Sequence, residues 1–440
     1  MRHQKLLLVF DSLFSFRSYS ESNIRTQLET DFDVVILFVD THTNGISEVE
    51  MENIEFLHVF LGRRSQSIIS FFSTIYWNRK KQFSNSFRVR LQSLLTKRRL
   101  FFSIPSPRLK TFPSIPVVLA IVSGTLGIRS SKYVYRVIGS RISKAIKSAQ
   151  PNLIIYLTLG GGVGLSDLLN VVAKVNSLKM LVMMDNWDNI YSKAVFDFCP
   201  DFITVWNLRA KEFAFRVHDI PIDKIGVLPS VRIQHLIEQF QVENYAPVSL
   251  VFAGGSMQIQ YDAQWLVSIN RELSKHNLDL KIEYLPHPIN YKNLELISEM
   301  LQKNRVSIVW DGSNSAADKV LPPLDLYPKL FSRAVCVISP LSTISLEAAW
   351  LGINSIGIDF FDEFDNKQSS AFQTFEHYWD LRDFNNFQLI QNESQLEVLI
   401  KDLADLQKSS PGAQVIPLPN YYSELREIIS NLVTDRITDF

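Results

Sequence analysis

The chain has 440 residues, of which 46% are hydrophobic and 20% charged, with 30 Phe and 7 Trp. That composition excludes global disorder and supplies apolar material for two cores, so two domains of roughly 200 residues each are expected. The formal net charge is zero and only two cysteines occur, without a CxxC or Cys/His cluster, which argues against a disulfide framework or a zinc site and favours a reducing compartment.

In chain order, the N-terminal MRHQKLLLVFDSLF has an apolar run at 6–10 that stops at Asp11. It is too short for the core of a signal peptide and reads as a first buried strand. Further short apolar runs at 34–39, 56–60, 153–159, 180–184 and 202–205 read as parallel strands, and a second set follows at 250–253, 280–284, 306–310, 335–338 and 355–358. Helical periodicity separates them, for example at 262–273 and 294–301. A strand-like IGVLP and a polar stretch ending at Pro247 read as an interdomain linker. The expected domains are therefore 1–240, with an insertion at about 61–150, then 247–420, then a terminal helix at 421–440. The fold class is α/β: two Rossmann-like, doubly wound domains facing a cleft, with the chemistry at the carboxyl ends of the strands. The run at 115–128 is too short and too Gly-interrupted to span a bilayer, so a cytoplasmic protein without a transmembrane helix is expected.

The neutral net charge hides an asymmetry. From Phe56 to Ser166 there are 18 Lys and Arg and no acid, so the rest of the chain sets 27 basic residues against all 45 acidic ones. From Arg63 to Phe102 the cations alternate with aromatic and aliphatic groups. Such a stretch suits an anionic membrane surface, where charges meet phosphate and rings enter the interface. It also suits a helical insertion whose apolar side is core, or a phosphate backbone of nucleic acid. An anionic membrane surface is the expected partner, and no nucleic-acid partner is expected.

Several strand ends are polar. Gly254-Gly255-Ser256 follows a strand, and adjacent glycines let a backbone approach a ligand and present N–H groups, although two glycines are also a common turn. His287 is fenced by Pro286 and Pro288, which hold the imidazole at a strand end, either as a structural group or as a phosphate contact. After the strand AVCVI, Ser342 or Thr343 caps an Ala-rich helix whose N-terminus suits a phosphate. Glu347, one turn in, suits the two hydroxyls of a ribose, or simply the helix dipole. Asp359–Asp362 (DFFD) ends the next strand. In the first half, Gly160-Gly161-Gly162-Val163-Gly164 lacks both the Lys-Ser/Thr of a Walker loop and a Rossmann acid, so neither ATP nor NAD is expected. In the strand-end segment DNWDN, Asp185 and Asp188 are candidate general bases for an acceptor hydroxyl, or members of a polar turn.

Taken together, the His-Pro strand end and S-P-L-S-T-x-x-L-E-A-A-x-x-G some fifty residues later resemble the GT-B glycosyltransferases. The similarity is greatest to bacterial sialyl-, Kdo- and glycerol-phosphate transferases of surface-polysaccharide synthesis. In those families a His-Pro and a Ser-Ser/Thr motif contact the phosphate and nucleotide of a cytidine-linked donor, and His287-Pro288 and Ser342-Thr343 match them. DNWDN, then CPDFITVWN, then HDIPIDKIGVLPS is similar to the end of their acceptor domains. The likeness spans roughly 153–362. Ile353-Asn354 stands where a proline is usual, and the acidic-acidic-glycine base motif is absent.

The resemblance implies a glycosyltransferase moving a sugar from a nucleotide-activated donor, CMP-, UDP- or TDP-linked, to a lipid-linked or growing surface glycan at the inner membrane face. Gly254, Gly255, Ser256, His287, Pro288, Ser342 and Thr343 would hold phosphate, with Glu347 on the ribose and Asp185, Asp188 or His287 in catalysis. No metal or other cofactor is called for. A nucleotide-sugar 2-epimerase, a glycerol-phosphate transferase and a non-catalytic membrane-associated scaffold remain the alternatives.

Overall fold

The computed structural model describes residues 4–40, 55–88, 128–158, 164–240, 247–256, 259–312, 321–359, 371–409 and 420–434. The chain divides into two compact units, residues 1–231 with 420–440, and residues 232–419.

The first unit holds a seven-stranded sheet: β1 Lys5–Phe10, β2 Asp33–Asp40, β3 Glu55–Phe60, β4 Leu153–Thr158, β5 Lys179–Met184, β6 Phe202–Val205 and β7 Ile225–Val227. Their order is β3-β2-β1-β4-β5-β6-β7, and every pairing is parallel. Both faces of such a sheet are covered, which is why Leu6–Phe10 and Leu153–Leu157 can be apolar at every position and buried throughout. Leu7 sits in register between Val35 of β2 and Ile154 of β4. The order reverses between β1 and β4, the place where open α/β sheets leave a crevice beyond their strand ends.

The second unit repeats the plan with six parallel strands: β8 Ser249–Ala253, β9 Lys281–Leu285, β10 Val306–Ile308, β11 Ala334–Pro340, β12 Asn354–Ile358 and β13 Phe387–Ile390. The order is β10-β9-β8-β11-β12-β13, so its reversal falls between β8 and β11. Phe252, Tyr284 and Ile338 of adjacent strands pack with Leu266, Ile269 and Leu273 of the helix Ile259–Lys275 in one buried cluster.

The boundary departs from the expected 240/247 and falls at 231/232, inside the helix Val231–Gln239. Arg232 and His235 of that helix are tied to Glu347 and Asp325 of the second unit, which draws the helix there. The helix Tyr421–Thr434 belongs to the first unit and is not a separate element. Its Tyr421, Leu425 and Ile429 are buried, and the Tyr421 hydroxyl donates to the Pro229 carbonyl at 3.2 Å.

The insertion also reads differently in three dimensions. Over the helix Arg63–Lys80 and the following turn, Ile69, Phe72, Ile75, Tyr76, Trp77 and Phe87 are buried. Arg79 and Lys80 are paired with Asp197 and Asp219. Tyr76 donates to His218 Nδ1 at 2.5 Å, and His218 Nε2 donates to the Ile190 carbonyl at 2.6 Å. This part of the expected membrane patch is therefore core bolted to the domain, because its acid partners come from later in the chain. Residues 89–102 lie outside the described residues, as does the Gly-rich segment 160–163. Among the described residues no helix is long and apolar enough to cross a membrane.

Candidate functional site

Three neighbouring strands of the second unit, β9, β8 and β11, end in His287, Gly254-Gly255-Ser256 and Ser342-Thr343 respectively. Residues up to about ninety positions apart thus share one sheet edge, at the reversal of strand order.

Gly254 is the position where only glycine fits. A Cβ there would lie 2.3 Å from Asp262 Oδ2 and 3.1 Å from a Tyr284 ring carbon. Its N–H donates to the Leu285 carbonyl at 2.9 Å, and the Gly255 N–H donates to Asp262 Oδ1 at 3.2 Å. Asn290 Nδ2 donates to the Gly255 carbonyl at 3.0 Å. The expectation that these two N–H groups face a phosphate is corrected here, because both are spent inside the domain. The glycines instead let the loop close on Asp262. Burial pushes that carboxyl up to about 6, against hydrogen bonds from Tyr284 and Gly255 that lower it. Ser256 is exposed at the tip.

His287 is half-buried and caps the helical turn Pro288–Ile297. Its Nδ1 accepts from the Ile289 N–H at 3.3 Å, and its carbonyl accepts from the Asn290 N–H at 2.8 Å. Burial lowers the imidazole pKa, which favours the neutral ring. With Nδ1 an acceptor, the proton sits on Nε2, which makes Nε2–H a hydrogen-bond donor. Pro288 occupies the first helical position, where its missing N–H costs nothing.

Beyond β11 the backbone of Ser342 is extended and opens the helix Thr343–Trp350. Ser339, Ser342 and Ser345 form a hydroxyl cluster, with Ser339 Oγ 2.7 Å from Ser345 Oγ and 3.3 Å from Ser342 Oγ. Ser339 and Ser345 are fully buried, while Ser342 and Thr343 are half-buried at the helix start. A helix N-terminus carries a partial positive charge and suits an anion.

Glu347 is fully buried in this helix and both its oxygens meet Arg232: Nε lies 2.7 Å from Oε1, and Nη2 donates to Oε2 at 2.8 Å. Arg232 in turn lies 4.4 Å from the centre of the Tyr327 ring. The expected ribose ligand is thus committed to an arginine. Asp359 of the DFFD segment is bracketed by the Phe372 N–H and Gln391, and Asp362 lies outside the described residues.

In the first unit, Asp185 follows β5, is 4% exposed, and its N–H donates to the Thr158 carbonyl at 3.0 Å. Asn189 Nδ2 donates to the same carbonyl at 2.8 Å. Asp188 pairs with Lys193 at 2.7 Å and so serves the turn. Sequence reasoning passed over Asp11, which ends β1 beside the reversal and accepts from the Tyr156 hydroxyl at 2.8 Å. Its signal was present, an acid directly after an apolar run. It also passed over Arg232 and Asp262, which carry no signal because each lies within an ordinary helical pattern.

No family model matches the sequence, and no curated protein does. Solved structures do match it. A UDP-N-acetylglucosamine 2-epimerase from Rickettsia bellii is similar with a TM-score of 0.53 and 10% identity, over 99% of this chain and 97% of that one. The Methanocaldococcus jannaschii UDP-GlcNAc 2-epimerase in complex with UDP-GlcNAc and UDP has a TM-score of 0.51 at 11% identity, over 97% and 99%. The Neisseria meningitidis UDP-GlcNAc 2-epimerase bound to UDP-GlcNAc has 0.50 at 11%, over 97% and 100%. The likeness runs the length of both chains and establishes the fold: two parallel-sheet α/β domains of the GT-B kind.

Proposed function

We propose that the chain is a nucleotide-sugar-dependent glycosyltransferase whose second unit binds the donor. The observation that carries this reading is that His287 and the helix opening after Ser342 lie at one edge of the sheet, at the reversal of strand order. A leaving nucleotide diphosphate or monophosphate develops negative charge, and fixed N–H and O–H donors stabilise it without reorganising. Ser342, Thr343 and the first helical turn would take the phosphate, with His287 Nε2–H as a second donor. Asp262 would hold the Gly254-Gly255 loop in place. Asp185 is the carboxylate we assign as base for the acceptor hydroxyl, since Asp188 is neutralised by Lys193. The acceptor class, a lipid-linked or growing surface glycan at the cytoplasmic membrane face, is supported by the acid-free basic stretch of the sequence.

A thermal-shift panel across CMP, CDP, UDP, TDP and GDP tests the donor site. A nucleotide at about 100 times its Kd adds about 2.7 kcal/mol to the native state and raises Tm by several degrees. No shift with any of the five would overturn the reading.

A second reading, a nucleotide-sugar 2-epimerase, is favoured by the likeness to the 2-epimerase structures above. It uses the same donor site without an acceptor. Incubation with UDP-GlcNAc alone separates the two: formation of the 2-epimer selects the epimerase, while an intact sugar that is transferred once a glycan acceptor is added selects the transferase.

A further inference from the structure

On the first unit, the helices Ile128–Ile138 and Ser140–Ala149 carry five exposed cations: Lys132, Arg136, Arg141, Lys144 and Lys147. Their opposite sides hold Tyr135, Ile142 and Ile146 in the core, so the charged faces are turned outward. Two adjoining shallow depressions share Lys144. Arg136, Lys144 and Lys147 line one of them with Val175, and Arg141 and Lys144 line the other with Phe60. Among the described residues no acid lines either depression and no carboxylate pairs with any of the five cations. This contrasts with Arg79 and Lys80, whose charges are spent on Asp197 and Asp219. Apolar groups stand exposed among these cations: Val137 at 60%, Val175 at 47% and Phe60 at 40%.

We infer that this face docks on an anionic lipid surface. Unpaired cations in shallow, acid-free depressions keep their attraction for phosphate, and nearby apolar side chains gain by entering the interface. This surface lies later in the chain than the stretch Arg63–Phe102 expected from sequence, of which Arg79 and Lys80 are paired and residues 89–102 lie outside the described residues. It belongs to the first unit, whereas the donor site belongs to the second, and its assay needs no nucleotide, so its failure and the failure of the donor site are distinguishable.

The test is co-sedimentation of the full chain with vesicles of phosphatidylcholine alone or mixed with phosphatidylglycerol. Binding to the mixed vesicles only, weakening as salt rises, is expected. Lys144→Gln should lower partitioning roughly fivefold, and the triple change Arg136→Gln, Arg141→Gln, Lys144→Gln roughly 100-fold. Lys303→Gln, an exposed lysine of the second unit, should leave it unchanged. All of these positions are exposed, and an unchanged circular dichroism spectrum confirms that the variants fold. The inference is overturned if the wild-type chain ignores anionic vesicles or if the triple variant binds as well as wild type. It also fails if a short single-stranded RNA competes the chain off the vesicles at matched phosphate and salt.

Discussion

Arg232 and Glu347 meet in a two-point ion pair in which the carboxylate is wholly buried and the guanidinium also lies over the Tyr327 ring. A buried pair of this kind adds little against an apolar replacement, but breaking it from one side strands a charge. Glu347→Ala should therefore lower the stability of the second unit by about 3–5 kcal/mol in urea unfolding. The paired change Arg232→Met with Glu347→Leu should recover most of that loss. Equal losses in the single and the double variant would mean that the pair is not what holds the helix Val231–Gln239 to this unit.

His218 gives the first unit a pH signature. Its ring lies fully buried between the Tyr76 hydroxyl and the Ile190 carbonyl, and burial lowers its pKa to about 4. The unfolded chain takes up that proton near pH 6.5, whereas the folded one resists until about 4, so stability falls as pH drops through this window. The loss amounts to about 3 kcal/mol. His218→Gln should be less stable at neutral pH, but its stability should depend less on pH between about 4 and 6.5. Parallel pH profiles for the variant and the wild type would contradict this account.

Gly254→Ala should act through Asp262. The added methyl has no room beside that carboxylate, so the loop must open and the Gly255 N–H must lose its acceptor. A loss of about 2–4 kcal/mol is expected in denaturant titration, together with a smaller nucleotide-induced thermal shift. A variant of wild-type stability that still responds to nucleotide would show that the glycine only turns the chain.

Capping and donation at His287 can be separated by two substitutions. Aspartate still accepts from the Ile289 N–H but cannot donate, whereas alanine does neither. His287→Ala should lose about 1 kcal/mol of stability, and His287→Asp only a few tenths. Both should lose most of the nucleotide-induced shift. Retention of that shift in His287→Asp would reduce the histidine to a cap.

Most of the fold was legible because parallel strands covered on both faces must be apolar along their whole length. Phe202–Val205 was read to the residue, and Leu250–Ala253 missed only Ser249, which opens the strand. Phe387–Ile390 was missed because FQLI sits at the sheet edge, half-exposed, with a glutamine in it. At the site, positions along the chain were readable but hydrogen-bond commitments were not. That Gly255 would give its N–H to Asp262, or Glu347 both oxygens to Arg232, depends on partners 7 and 115 residues away. The buried rings between Ile69 and Phe87 show the same limit. An acid-free basic stretch reads as a free surface until the acids at 197 and 219 come back to it.

The helix Tyr421–Thr434 packs into the unit that opens the chain, although the whole second unit is translated before it. Residues 232–419 can therefore finish folding on the ribosome while the domain begun first still waits for its closing piece. Until that helix emerges, its partners near Pro229 and Gly226 stand uncovered, and a stop codon placed anywhere in it would injure the domain farthest from it in sequence.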